Sequence, residues 1–248
     1  MLGSLNCMHW EWKNCPSGWT GQFQGKEKRP TIILEAVASS DLWIWHAYFG
    51  MSGSHNNINV LNTSPLFANL LNGQAPQCEY EICGNVYQQG YYLADGIYPD
   101  WPTFVKTMSQ PRGAEQRHFV KMQEARRKDV ECAFGVLQAR FAVVLCPARG
   151  WKHHNLKNIM KACIILHNMI VEDERDMYLE YSYDNAPAAV VTPVKVSQGE
   201  TSISFAEFID NYHSMRDSSA HFQLRHDLIK HQWAIKRRQE EDENEEES

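Results

Sequence analysis

The stretch Tyr91-Tyr92-Leu93-Ala94-Asp95-Gly96-Ile97-Tyr98-Pro99 constrains the fold more than any other. Tyr91 to Ala94 are too few for a helix and too apolar for a loop, so they predict a short buried strand. An acid and a glycine follow at once, with a proline close behind. The strand therefore ends by delivering the Asp95 carboxylate to the C-terminal edge of a sheet, where ligands and metals collect in open α/β folds. The plainer reading of the same residues is a turn aspartate ahead of a glycine, and the rest of the chain has to decide between them.

A chain of 248 residues, 43% hydrophobic, is enough for one large or two small domains with a sizeable core. It contains no apolar run of membrane-spanning length. Met1-Leu2-Gly3-Ser4 does not open a secretory signal. Seven cysteines at irregular spacing do not form a disulfide framework, which points to a reducing compartment. Seven acids and no base lie between Gln239 and Ser248; without them the net charge of −6 becomes about +1. The body is thus near neutral, compatible with nucleic acid without demanding it, and residues 239–248 read as a solvated, disordered acidic tail.

In chain order, Leu2–Trp12 predicts a strand that begins almost at the first residue, which suggests an N-terminally shortened chain. Thr31–Ala38 and Leu42–Phe49 predict two more strands, antiparallel with a short connection. Helical turns follow Asn56-Asn57 and are interrupted by Pro65. Tyr80–Val86 reads as a strand. Pro111–Phe141 holds the longest helix, with Val130, Phe134, Leu137 and Phe141 on one stripe and Glu131 beside it. Arg117, Lys121, Arg126, Arg127, Lys128 and Arg140 give it a basic surface. Ala142–Leu145 predicts a last short strand. Asn155–Glu174 predicts a second helix with Ile159, Cys163, Leu166 and Ile170 on one face. The fold class is α/β, a mixed sheet of about five strands flanked by helices, with a C-terminal helical extension. The division reads 1–175 as the α/β domain, 176–203 as a linker, 204–238 as the extension and 239–248 as the tail.

Asn6 on the first strand, Asp95 after a later strand and Glu131 on a helix are three positions that could meet. Divalent cations such as Mg²⁺ take a few well-placed oxygen ligands, and two of them can activate water and stabilise a leaving oxygen. Against this, Glu131 reads equally as a solvated helix glutamate paired with Arg127 one turn earlier. Cys78 and Cys83 lack paired zinc spacing, and His153-His154 has no carboxylate at metal spacing. His167, inside an apolar helix, reads as a hydrogen-bonded core histidine. Trp10, Trp12, Trp43 and Trp45 read as packing in or beside the sheet. Lys121, Arg126, Arg127 and Lys128 form either a solvated face or a set of phosphate contacts.

The run Gly3-Ser4-Leu5-Asn6-Cys7-Met8-His9-Trp10-Glu11-Trp12-Lys13-Asn14-Cys15-Pro16 resembles the opening motif of the plant PIF/Harbinger transposases. The resemblance continues through Pro30–Ala38, Asp41–Gly50, Gly53–Leu61, Tyr91–Trp101, Arg127–Phe141 and Ile165–Ile170, dense over residues 1–175. Several long motifs in order are far more specific than a lone acid. The resemblance implies an RNase H-like DDE-type nuclease domain, hydrolysing DNA phosphodiesters with Mg²⁺ or Mn²⁺. It makes Asp95 and Glu131 the second and third catalytic and metal-binding acids, and it implies action in the nucleus, with the cytoplasm as the alternative. Asn6 stands where the family has an aspartate, a degraded position that predicts low or absent activity. Asn57 also stands where the family usually has an aspartate. The family carries a helical DNA-binding region before the nuclease domain. Its absence here predicts weak, non-specific DNA binding through Lys121, Arg126, Arg127 and Lys128, and a separate DNA-binding protein as partner. Two rival readings stay open: a non-catalytic DNA- or protein-binding module, and a decaying transposon copy.

Overall fold

The computed structural model describes residues 1–72, 78–179 and 205–246. The elements in chain order are β1 (Gly3–Glu11), α1 (Thr20–Phe23), β2 (Thr31–Ala38), β3 (Ile44–Ser52), α2 (Asn57–Thr63), α3 (Ala68–Leu71), β4 (Tyr80–Ile82), β5 (Asn85–Tyr87), β6 (Tyr92–Ala94), β7 (Phe104–Lys106), α4 (Gly113–Arg127), α5 (Asp129–Arg140), α6 (Ala142–Leu145), α7 (His153–Leu179), α8 (Phe205–Ser214) and α9 (Ser218–Glu246). The architecture is α/β: a five-stranded mixed sheet flanked by helices, of RNase H-like kind, with helices at the C-terminal end. The chain divides into two compact units, one of Gly3–Leu66 and Lys128–Val194, the other of Met1–Leu2, Phe67–Arg127 and Lys195–Ser248.

In the first unit β2 is the middle strand, antiparallel to β1 on one side and β3 on the other. All eight of its residues are buried, as its β-branched and apolar run requires. Strand alternation sends Ile32, Leu34, Ala36 and Ala38 to one face, joined there by Trp10 and Trp12 of the first strand and its continuation. This face packs on Val130, Ala133, Phe134 and Leu137 of α5 and on Leu156, Met160, Cys163 and Ile164 of α7. Both buried indoles find acceptors: Trp10 Nε1 donates to the Cys146 carbonyl (2.9 Å) and Trp12 Nε1 to the Gly150 carbonyl (2.7 Å).

His167 is fully buried, and its Nε2 lies 2.9 Å from the carbonyl of Leu42, a residue with φ of 68°. Next to it, the Asn168 amide takes both backbone groups of Ile44. It accepts from Ile44 N–H (2.9 Å) and donates to Ile44 C=O (2.8 Å). The His-Asn pair thus fixes the start of β3 against α7.

In the second unit β6 and β7 pair in parallel, Leu93 opposite Val105. Leu93, Val105 and Ile82 pack with Phe119 of α4 and with Leu224, Leu228 and Ile229 of α9. The β4–β5 hairpin turns at Cys83 and Gly84, both with positive φ, the geometry of a type I′ turn. The carboxylate of buried Asp227 on α9 accepts from Asn85 Nδ2 (2.7 Å), Tyr87 OH (2.6 Å) and Gln223 Nε2. Buried His221 has Nδ1 against the carbonyls of Trp101 and Phe104, and Asp100 beside Nε2.

Several sequence expectations change. Pro111–Phe141 is two helices, not one, broken at Lys128, whose ψ of −9° departs from the helical value. The longest helices are α9 and α7. Ala142–Leu145 forms the helical turn α6 rather than a strand: the N–H groups of Val144 and Leu145 bond back to the Phe141 carbonyl (2.8 and 3.2 Å) and that of Cys146 to the Ala142 carbonyl (2.9 Å). Tyr80–Val86 is a hairpin instead of one strand. On α7 the buried face is Leu156, Met160, Cys163, Ile164, His167 and Val171, while Ile159 and Leu166 are exposed. The helix α9 continues to Glu246, through most of the acidic run. The expected linker 176–203 begins inside α7, and the rest of it lies outside the described residues.

Candidate functional site

The site begins with the close approach of β1 to β2. Gly3 has φ of +144°, and a Cβ there would stand 2.7 Å from the Ala38 carbonyl oxygen, so only glycine fits. Next to it, buried Ser4 donates from Oγ to the Ala38 carbonyl (3.3 Å) and accepts from the Val130 N–H (2.9 Å). Val130 lies in the first turn of α5, where backbone N–H groups have no partner within the helix. Ser4 supplies one from a strand. It thereby sets the axial position of α5 on β1, and the next helical residue is Glu131.

Two residues along β1, alternation returns the side chain to the α5 face at Asn6. Asn6 Nδ2 donates to Glu131 Oε1 at 3.1 Å, and Asn6 Oδ1 accepts from the Cys7 N–H at 2.8 Å. The orientation of the amide is over-determined. Turned the other way, its oxygen would face a carboxylate oxygen and its NH₂ would face an N–H. Asn6 is half-buried and Glu131 exposed. Asp129 and Glu131 stand in the first turn of α5, where the helix dipole favours negative charge.

Asp95 follows β6 in the other unit, after buried Leu93 and Ala94. It is exposed; its Oδ1 accepts from the Gly96 N–H (2.6 Å), and its carbonyl from the Tyr98 N–H (3.2 Å). Buried Gln123 of α4 donates from Nε2 to the carbonyls of Ala94 (3.3 Å) and Val105 (3.1 Å). It ties together the ends of β6 and β7 one residue before Asp95. Lys121 and Arg126 on the same helix are exposed, Arg127 at its end is half-buried, and Lys128 in the break is exposed. Asn57 is the first residue of α2, behind Asn56, whose side chain caps the Asn59 N–H (2.8 Å).

The structure therefore brings Asn6 and Glu131 into contact and places Asp95 on its own strand end. Among the described residues no group of three His, Cys, Asp or Glu side chains stands together as a metal site. The Asn6–Glu131 pair meets through a direct hydrogen bond, in which an amide N–H stands where an aspartate would offer a second carboxylate oxygen to a cation. Ser4 and Gln123 were not singled out from the sequence. Nothing in a lone serine or glutamine signals the backbone groups it holds. The one available sign was a polar residue within each buried stripe.

A strand and a helix that present polar side chains from an RNase H-like α/β sheet define the class of this chain. It belongs to the plant transposon protein family, whose model matches residues 1–178. Its origin therefore lies in a transposon. No curated protein and no solved structure gives a match.

Proposed function

We propose that this chain is a PIF/Harbinger-type DDE transposase domain whose metal-dependent cleavage of DNA phosphodiesters is impaired at Asn6. The hydrogen bond from the Asn6 amide to Glu131 carries the reading. In this reading Asp95 and Glu131 are the acids that remain, and Mg²⁺ or Mn²⁺, when bound, supplies the activated water and the charge that the leaving oxygen needs. Three carboxylates would neutralise most of the charge of two divalent ions, whereas two leave half of it. The amide also occupies one oxygen of Glu131. Lys121, Arg126, Arg127 and Lys128 hold DNA through phosphates, weakly and without sequence preference. A separate DNA-binding protein then supplies the target, in the nucleus.

The same hydrogen bond favours one other reading, a non-catalytic module that keeps the fold to bind DNA or protein. One experiment separates the two. Calorimetric Mn²⁺ titration and plasmid nicking are run on the parent, on Asn6→Asp and on Asn6→Asp/Glu131→Gln. Tighter Mn²⁺ binding and new or increased nicking in Asn6→Asp, both lost in the double variant, support the impaired nuclease. A gain in Mn²⁺ affinity without nicking supports the non-catalytic module. Equal Mn²⁺ affinity in parent and Asn6→Asp removes Asn6 from the site and overturns the proposal.

A further inference from the structure

The helix α7 has one apolar face too many. Its inner side, Leu156, Met160, Cys163, Ile164, His167 and Val171, is buried in the first unit. A second stripe follows Ile159, Ala162, Ile165, Leu166 and Met169, spaced three or four residues apart on the opposite side. These side chains face solvent: Ile159 is 37% exposed, Ile165 50%, Leu166 47% and Met169 59%. Together they present on the order of 400 Å² of contiguous apolar surface, within the range that marks an interaction site on a single chain. Ala162 leaves a shallow point in the stripe at which another helix could approach closely.

The charges beside the stripe indicate what covers it. Lys157 and Lys161 lie in its N-terminal half, Glu172 and Asp173 beyond its C-terminal end. The first turn of α7 has no acid. This arrangement runs against the helix dipole, which favours acids at the N-terminal end and bases at the C-terminal end. Neighbouring Glu174 and Arg175 are paired with Arg140 and Asp41. Lys157, Lys161, Glu172 and Asp173 form no ion pair among the described residues. A second α7 laid antiparallel, with the two-fold axis near Ile165 and Leu166, sets the flank of Lys157 and Lys161 in each copy beside Glu172 of the other. A parallel α7 would set like charges together.

We propose that two copies of this chain associate through the exposed face of α7, packed antiparallel about that axis. Two stripes bury about 800 Å² of apolar surface, and the charged flanks bring the total to the low end of specific interfaces. The dimer is therefore reversible, with Kd in the micromolar range, on the order of 1–50 µM. It depends on none of the residues assigned to nuclease chemistry.

Sedimentation velocity of the full chain from about 2 to about 200 µM, a range that brackets such a Kd, is the test. The parent mass rises with concentration from 28.7 kDa towards twice that value. Met169→Glu remains monomeric throughout, with unchanged circular dichroism because the side chain is exposed. Lys161→Glu and Glu172→Lys each weaken association about tenfold, and the double exchange restores it to near the parent value. A parent that stays monomeric, or a folded Met169→Glu that associates as the parent does, overturns the interface. Single exchanges that weaken association without rescue in the double variant overturn the antiparallel arrangement.

Discussion

Replacing Asn6 by aspartate tests the polar pair without any need for catalysis. The parent holds Nδ2 and Oε1 at 3.1 Å as donor and acceptor. In Asn6→Asp the same two positions carry like charges. At that separation the repulsion is about 1 kcal/mol in a water-like medium and about 5 kcal/mol at an effective dielectric of 20. Glu131 is exposed, so the lower figure governs. Loss of a hydrogen bond to a charged acceptor adds about 1 kcal/mol after the same discount. The metal-free variant should therefore be about 2 kcal/mol less stable, which lowers Tm by about 4–8 °C in a chain of this size. Millimolar Mn²⁺ should restore the loss in Asn6→Asp and leave the parent unmoved. Thermal denaturation of both proteins, in EDTA and in Mn²⁺, reads the effect. An Asn6→Asp variant that melts with the parent in EDTA, and responds to Mn²⁺ as the parent does, would refute the pairing argument.

Ser4→Ala leaves the Val130 N–H without its acceptor and should cost about 1–3 kcal/mol, read by urea denaturation; a change below about 0.5 kcal/mol would remove Ser4 from the seating of α5. Burial, with Arg225 adding to it, lowers the pKa of His221 below 6.5, against the opposing pull of the Trp101 and Phe104 carbonyls and Asp100. The unfolded chain therefore takes up this proton first on acidification. Stability falls as pH drops below about 6.5, and His153 and His167, also lowered chiefly by burial, act in the same direction. Tm measured from pH 7.5 to 5 should decline, with a shallower slope in His221→Gln; a Tm that rises on acidification would contradict this. Neutralising Lys121, Arg126, Arg127 and Lys128 together should weaken DNA binding in fluorescence anisotropy and lower its salt slope by up to about 3–4; an unchanged slope would acquit the basic residues.

The strands of the first unit and β6 were legible because apolar alternation and β-branched runs state a strand directly, as in Thr31–Ala38. Asn6, Asp95 and Glu131 were read as three positions that could meet, and the contact present in the structure is the one between Asn6 and Glu131. The kind of contact was not legible. Which amide atom meets Glu131 is decided by the Cys7 N–H, a backbone donor that no side-chain pattern reports. The break at Lys128 was hidden because no proline or glycine marks it, and the apolar spacing runs on into α5. Ala142–Leu145 carries strand-forming valines, yet its backbone closes on itself through bonds to Phe141 and Ala142. Ile159 and Leu166 were read onto one face of α7 with Cys163 because they share its spacing; which side of an apolar helix is covered depends on what surrounds it.

Asn168 has a consequence beyond fixing the start of β3. In the order β3-β2-β1 the outer side of β3 pairs with no strand among the described residues. Such a side is a template on which a foreign strand can add and from which aggregation grows. By holding both the N–H and the C=O of Ile44, the Asn168 amide imitates one residue of a neighbouring strand and closes the template at its first rung. The ladder past Ile44 cannot be entered from that end. Loss of this one amide would expose the register from which an added strand would start, turning a stability defect into a solubility defect.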